Sequence, residues 1–172
     1  MTTQRSAFNP YTHMNVLGHR KLYRPATSSL GGASCVERTS ADFLIDHGSL
    51  LELLVQRAGG HSDFMGCFVN GYVGECQKVR TRLLGISSQS GSEHRVLLYI
   101  CPECGDVGCG AYSAVVRRDA TSYIWHSFAY QTSERDLNVL EMLGPFVFEA
   151  SQYEIAVLAA ATFGVPDGER FL

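Results

Sequence analysis

The 172-residue chain has no apolar run of even about 18 residues, the length a membrane-spanning helix needs, so no transmembrane helix and no membrane partner are expected. Its opening stretch, "MTTQRSAFNPYTHMNVLGHRKLYRP", lacks the apolar segment of a secretory signal. Cytoplasmic residence is the resulting expectation. A basic run is missing too. Lys78, Arg80 and Arg82 come nearest to a cluster, followed by Arg117 and Arg118, and 14 basic against 17 acidic residues leave a net charge of -3. That balance argues against a general nucleic-acid binder, which would carry a basic face. The fingerprints G-x-S-x-G, H-E-x-x-H, the phosphate loop and G-x-G-x-x-G are all absent. No local motif assembles a nucleophile, a base and an orienting group, so no catalytic residue is assigned.

What is present suffices for one folded domain. Hydrophobic residues make up 45% of the chain and charged residues 18%, outside the range of disordered segments. A chain of this length can bury roughly 70% of its unfolded surface, so it needs neither a disulfide nor a metal to hold a core. Residues 1–34 are polar and rich in turn residues and read as an arm, with one short strand near Lys21 to Tyr23; residues 35–172 read as a single α+β domain.

Within that domain, "SLLELLVQRAGG" (49–60) predicts a helix. Ser49 and Glu52 stand at capping-box spacing and Gly59 stands at the stop. "GECQKVRTRLLG" (74–85) predicts a second helix with Cys76, Val79, Leu83 and Leu84 inward. "SERDLNVLEML" (133–143) reads as helical, and "SQYEIAVLAAATFG" (151–164) as a further helix with Ser151 and Glu154 as its box. Between them, "RVLLYIC", "AYSAVVRRD" and "TSYIWHSFAYQ" are rich in strand formers. They predict a three-stranded antiparallel meander over about 95–131, a small sheet with helices packed on one face. Simple alternation places Trp125 and His126 on opposite faces.

"CPECGDVGCGA" (101–111) joins two of these strands and concentrates three of the six cysteines, Cys101, Cys104 and Cys109. Cysteines in a reducing compartment are thiols or metal ligands rather than disulfides. Three readings stand. A C-x2-C turn with amides aimed at its thiolates suits a zinc knuckle, with Gly105 supplying a positive φ. Cys67, Cys76, His94 and His126 are the candidates for a fourth ligand. A redox centre would want a helix N-terminus after the pair, whereas glycines and a strand follow here. The plainest reading is a glycine-rich hairpin whose cysteines act as small buried hydrophobes, with Asp106 bonded to its own turn backbone.

"DFLIDHGSLLELL", "LYICPECGDVGCGAYSAVVRRDATSYIWHSFAYQ" and "GPFVFEASQYEIAVL" together resemble a bacterial family of small uncharacterised proteins that carries a CPECGDxGCGA motif. The resemblance covers about residues 42 to 160. It implies no catalytic residues, although some members bear the label oxidoreductase. Size and acidity also make an analogy with immunity proteins, which bind and neutralise a bacterial toxin. On that expectation the partner-binding residues are Tyr123, Trp125, Phe128 and Tyr130 as aromatic anchors, Glu103 and Asp106 on the adjoining turn, and the acidic Glu134, Asp136 and Glu141. The alternative is a zinc-binding or thiol-based protein centred on Cys101, Cys104 and Cys109. No other cofactor is expected.

Overall fold

Leu17–Arg24 forms an eight-residue strand, β1, longer than the short strand near Lys21 to Tyr23 expected within an otherwise irregular arm. It pairs antiparallel along its whole length with β4, Arg38–Ile45. A computed structural model describes residues 13–28, 31–32, 34–60, 63–86 and 90–165; the first part of the expected arm, residues 1–12, lies outside them. The segment ahead of β1 is tied down as well. Asn15 donates its backbone N–H to the Val147 carbonyl at 2.6 Å, and the Asp46 carboxylate accepts from Val16 N–H at 2.8 Å. Leu17 is fully buried, so this stretch belongs to the core rather than to an appendage. Two short strands, β2 (Thr27–Ser28) and β3 (Ser34–Cys35), form a ribbon between β1 and β4, and β5 (Gly48–Ser49) completes the sheet on the far side of β4.

The helices follow the expected pattern with shifted details. Helix α1 spans Leu50–Ala58 and is capped by Ser49, whose hydroxyl accepts from Glu52 N–H. Glu52 does not complete the box; its carboxylate pairs with Arg20 at 2.7 Å instead. After β6 (Met65–Gly66) comes α2, Val73–Leu83, which buries Cys76 and Leu83. Helix α3 spans Ala150–Ala161, and its cap is Glu149, not the expected Ser151. The Glu149 carboxylate accepts from Gln152 N–H at 2.8 Å and from the Ser151 hydroxyl at 2.7 Å. Ala150 is already helical, so the box moves two residues towards the N-terminus. None of these helices is long and apolar enough to cross a membrane.

The expected meander exists as β7 (Glu93–Ile100), β8 (Ala111–Arg118) and β9 (Ser122–Gln131). It is the middle of a six-stranded sheet rather than a small sheet of its own. β6 extends it beside β7. On the other edge, β10 (Leu137–Val139) pairs with the end of β9 and β11 (Phe146–Glu149) pairs with its start. β10 also corrects the helix expected over 133–143. Ser133 Oγ accepts from the Arg135 and Asp136 amides, and the Thr132 hydroxyl donates to Asp136, closing a turn. Local side-chain bonds of this kind compete with a helix. The open edge of β9 then takes Leu137–Val139 as a strand, and tertiary pairing overrides propensity.

One irregularity shapes the core. Ser113 pairs with Ala129 but Val115 with His126, so β9 carries an extra residue at this point, and Ser127 sits there with φ 49°. Such a bulge re-aims side chains. Trp125 and Phe128, three apart, would face opposite ways in a regular strand, yet both are fully buried. Trp125 meets Phe43, Phe148 and Tyr153 at ring separations of 5.3, 5.5 and 6.0 Å and donates its indole N–H to the Tyr153 hydroxyl. The hydroxyls of Tyr123 and Tyr153 donate in turn to the Leu84 and Leu83 carbonyls, satisfying the C-terminus of α2.

Asp42 joins the two sheets. Its carboxylate is fully buried. It accepts from the Tyr99 hydroxyl at 2.6 Å, from Ser49 Oγ at 2.7 Å and from Arg20 Nε at 2.9 Å, and the Leu51 amide lies at 3.4 Å. Nearby, Gly66 approaches β4 so closely that a Cβ would fall 1.8 Å from the Ala41 carbonyl oxygen; only glycine fits there. Replacing Asp42 by Ala leaves the Tyr99 hydroxyl buried without its acceptor and should lower unfolding free energy by about 3 kcal/mol. Arg20→Ala leaves the Ser49 and Tyr99 donors in place and should cost about 1–2 kcal/mol, less than the Asp42 change. Urea titrations check both, and equal losses in the two variants would contradict this account.

Candidate metal centre

The ten residues between β7 and β8 fold back on themselves twice. Pro102 to Cys104 make the first turn, closed by the Gly105 amide donating to the Cys101 carbonyl at 2.9 Å. Gly105 takes φ 67°, a conformation that side chains with a Cβ rarely adopt. Asp106 then caps a single 3-10 turn, Val107–Cys109, by accepting from the Gly108 amide at 2.6 Å. These turns bring three thiols together from positions eight residues apart. The sulfurs of Cys101, Cys104 and Cys109 all lie within 4.8 Å of one another, and Cys104 and Cys109 are 3.4 Å apart. The three could hold a metal ion.

The plainest sequence reading, buried thiols in a passive turn, does not survive. Cys104 and Cys109 are exposed and Cys101 is half-buried. Burial raises the Cys101 thiol, but hydrogen bonds from the Cys104 and Glu103 amides and the two neighbouring thiols outweigh it and bring it below the usual cysteine range. The Asp106 amide likewise points at Cys104 Sγ, at 3.4 Å. Cys109 moves the other way. Hydrogen bonds with the thiols of Cys104 and Cys101 push it up to about 11, because three thiolates this close repel one another. The cluster therefore favours ionising one thiol and resists ionising all three, unless a cation joins them.

Distant residues hold the turn. Arg38, at the start of β4, donates from Nε to the Pro102 carbonyl at 3.0 Å and lies over the Tyr72 ring at 4.9 Å. The Tyr72 hydroxyl donates to the Glu103 carbonyl, and Glu103 forms an ion pair with Arg24 at the end of β1. That pairing holds the Glu103 carboxyl below its usual range, and the nearby Cys35 thiol adds to the shift of both partners. Sequence reasoning missed Arg24, Cys35, Arg38 and Tyr72, which lie between 29 and 77 residues before Cys101 with no spacing signal linking them to it.

None of the expected fourth ligands reaches the triad. Cys76 is buried, and its thiol donates to the Cys67 and Val69 carbonyls. Cys67 is buried beside it, with its thiol pushed well up. His94 sits at the opposite end of β7, and His126 contacts Glu93 there at 3.3 Å. Among the described residues the triad is a set of three with its outer side open.

The expected partner-binding residues scatter. Tyr123, Trp125 and Phe128 are fully buried and serve the core, Phe128 being brought to the inward face by the β9 bulge, so they are not surface anchors. Tyr130 is half-buried against Tyr112. Glu103 and Asp106 are committed to the cysteine turn, although both remain exposed. Glu134, Asp136 and Glu141 are exposed, with Asp136 closing its local turn.

A cavity of about 360 Å³ lies beside the triad, between α2 and β7, with Cys104 in its wall and Val79, Leu97 and Ile100 among its apolar lining. No protein-family model matches the chain, and neither curated proteins nor solved structures yield a significant match. Fold and geometry thus define a mixed α/β domain with antiparallel sheets and a candidate thiol metal centre. In metal-free protein, iodoacetamide should modify Cys101, Cys104 and Cys109 in the native state. Cys67 and Cys76, the latter pushed up to about 11 mainly by burial, should react only after denaturation. Peptide mass mapping reads this out, and native-state labelling of Cys76 as fast as Cys104 would refute the assignment.

Proposed function

We propose that this protein binds one zinc ion through Cys101, Cys104 and Cys109, leaving a fourth position open towards solvent and the neighbouring cavity. The observation that carries the reading is the sulfur spacing. Zinc–thiolate bonds of about 2.3 Å in a tetrahedron set sulfurs about 3.8 Å apart. The 3.4 Å pair and the 4.8 Å limit bracket that distance. Soft thiolates suit zinc, and an iron–sulfur cluster would call for four cysteines. The amides aimed at Cys101 and Cys104 are the outer-shell donors that tune such a centre. An ion held by three protein ligands with a free position is a Lewis acid that a small molecule can reach, the arrangement of catalytic rather than purely structural zinc.

A protein-binding role, with a bacterial toxin as partner, is the reading the geometry favours less. Three of its four aromatic anchors are in the core, and Glu103 and Asp106 serve the cysteine turn.

Native mass spectrometry of untagged protein purified without chelator, compared with the denatured mass, tests the zinc reading. The expected result is a difference of one zinc, confirmed by elemental analysis and lost in Cys104→Ser and Cys109→Ser. A bare reduced chain that stays bare after incubation with zinc would overturn it. Zinc uptake must also release protons, because Cys109 has to ionise from about 11. Apparent affinity should therefore be tighter at about pH 8 than at about pH 6.5, where protons compete for the thiols. Competition with a chromogenic chelator at the two pH values measures this.

A further inference from the structure

Arg95 is a half-buried cation without a counter-ion. Burial lowers its pKa, and no carboxylate among the described residues offsets that. Its hydrogen bonds are one-sided. Nη1 donates to Ser113 Oγ at 3.0 Å and to the Ser127 carbonyl at 2.9 Å, while Nε and Nη2 have no partner among the described residues. The two neutral acceptors thus fix the guanidinium plane and leave open the edge that grips a carboxylate or phosphate with two parallel bonds. Neither nitrogen of that edge is among the buried atoms without a partner, so the edge is accessible, and an anion there would supply the ionic partner that the half-buried cation lacks.

Arg95 lines a cavity of about 360 Å³ together with Arg82, Leu97, Val107, Gln131 and Glu134. Arg82, exposed on α2, has no ion pair among the described residues and can supply a second positive charge at the rim. Arg82 and Leu97 also line the cavity at the cysteine triad. The two hollows therefore adjoin at Arg82 and Leu97.

The geometry points to a binding site for a small organic oxyanion, a carboxylate or a phosphate monoester, gripped by the free Nε–Nη2 edge of Arg95 with Arg82 beside it and its apolar body laid over Leu97 towards Cys104. Only the last element, the reach towards a metal at the triad, rests on the zinc reading; the anion seat does not. Glu134 shares the cavity wall, and its carboxylate competes with the ligand for the same cations.

The test uses the full chain, metal-free and zinc-loaded, titrated calorimetrically with benzoate and with phenyl phosphate, and with benzyl alcohol as the neutral control. Saturable binding of at least one anion, and not of the alcohol, is expected; the stronger of the two assigns the headgroup. Losing a charge-assisted pair should weaken binding about ten- to a hundredfold in Arg95→Gln. Glu134→Gln should tighten it, and Arg82→Gln should weaken it less than the Arg95 change. If Arg95→Gln fails to fold, Arg82→Gln and Glu134→Gln decide, since both residues are exposed. No saturable binding of either anion, or affinities unchanged across the variants, would overturn the site. Binding in metal-free protein with no zinc uptake would uphold the anion seat while removing the zinc reading; zinc uptake without anion binding would do the reverse.

Discussion

Asp42 takes hydrogen bonds from β1 through Arg20, from the start of α1 through Ser49 and from β7 through Tyr99. Each donor belongs to a different part of the chain, so the carboxylate acts as a junction. A buried carboxylate would be expensive alone; with its oxygens occupied by a charged donor, two hydroxyls and an approaching amide, it becomes a fixed point. Tyr99 completes the bridge by also accepting from the Phe43 amide at 3.1 Å. The smaller sheet is thereby locked in orientation over the larger one. Trp125, Phe43 and Phe148 fill the space between them.

The cysteine loop depends on that lock. Its inner supports, Arg24 and Arg38, stand on β1 and β4, whereas the thiols stand on the connection from β7 to β8. The two sheets must hold their relative positions for the Pro102 carbonyl and the Glu103 carboxylate to find their partners. A loop with four glycines and prolines in ten residues would otherwise be free to sample many shapes. Here the amides that steady Cys101 and Cys104 are set by a backbone fastened from outside.

Local chemistry was legible in the sequence. The Ser49 cap, the stop at Gly59, the meander and the self-bonded turn at Asp106 all follow from residues within a few positions of each other. The thiol cluster was legible as a possibility, since C-x2-C fixes two sulfurs at close range. What brings in Cys109 is a turn capped by Asp106, and what exposes the cluster is its place at the end of the sheet; neither is a local property. The errors share a cause. Residues 133–143 carry a plausible helical composition, but the free edge of β9 was waiting for them. Leu17 to Arg24 look polar because β1 is an edge strand with one face outward. Regular alternation would put Phe128 on the face opposite Tyr123 and Trp125, and a single extra residue brings it inward beside them.

That extra residue makes the two faces of β9 interdependent. On one side it turns both Trp125 and Phe128 inward. At the same place the Ser127 carbonyl, set by a left-handed backbone, holds Arg95 still. Core packing and the shape of the adjoining hollow are thus consequences of one count of residues. A deletion at this position would not merely loosen the hydrophobic interior; it would shift the strand frame and leave the guanidinium unclamped. The hollow is for this reason unable to drift in sequence independently of the interior behind it, and the length of this strand segment is as much a determinant of the site as the residues that line it.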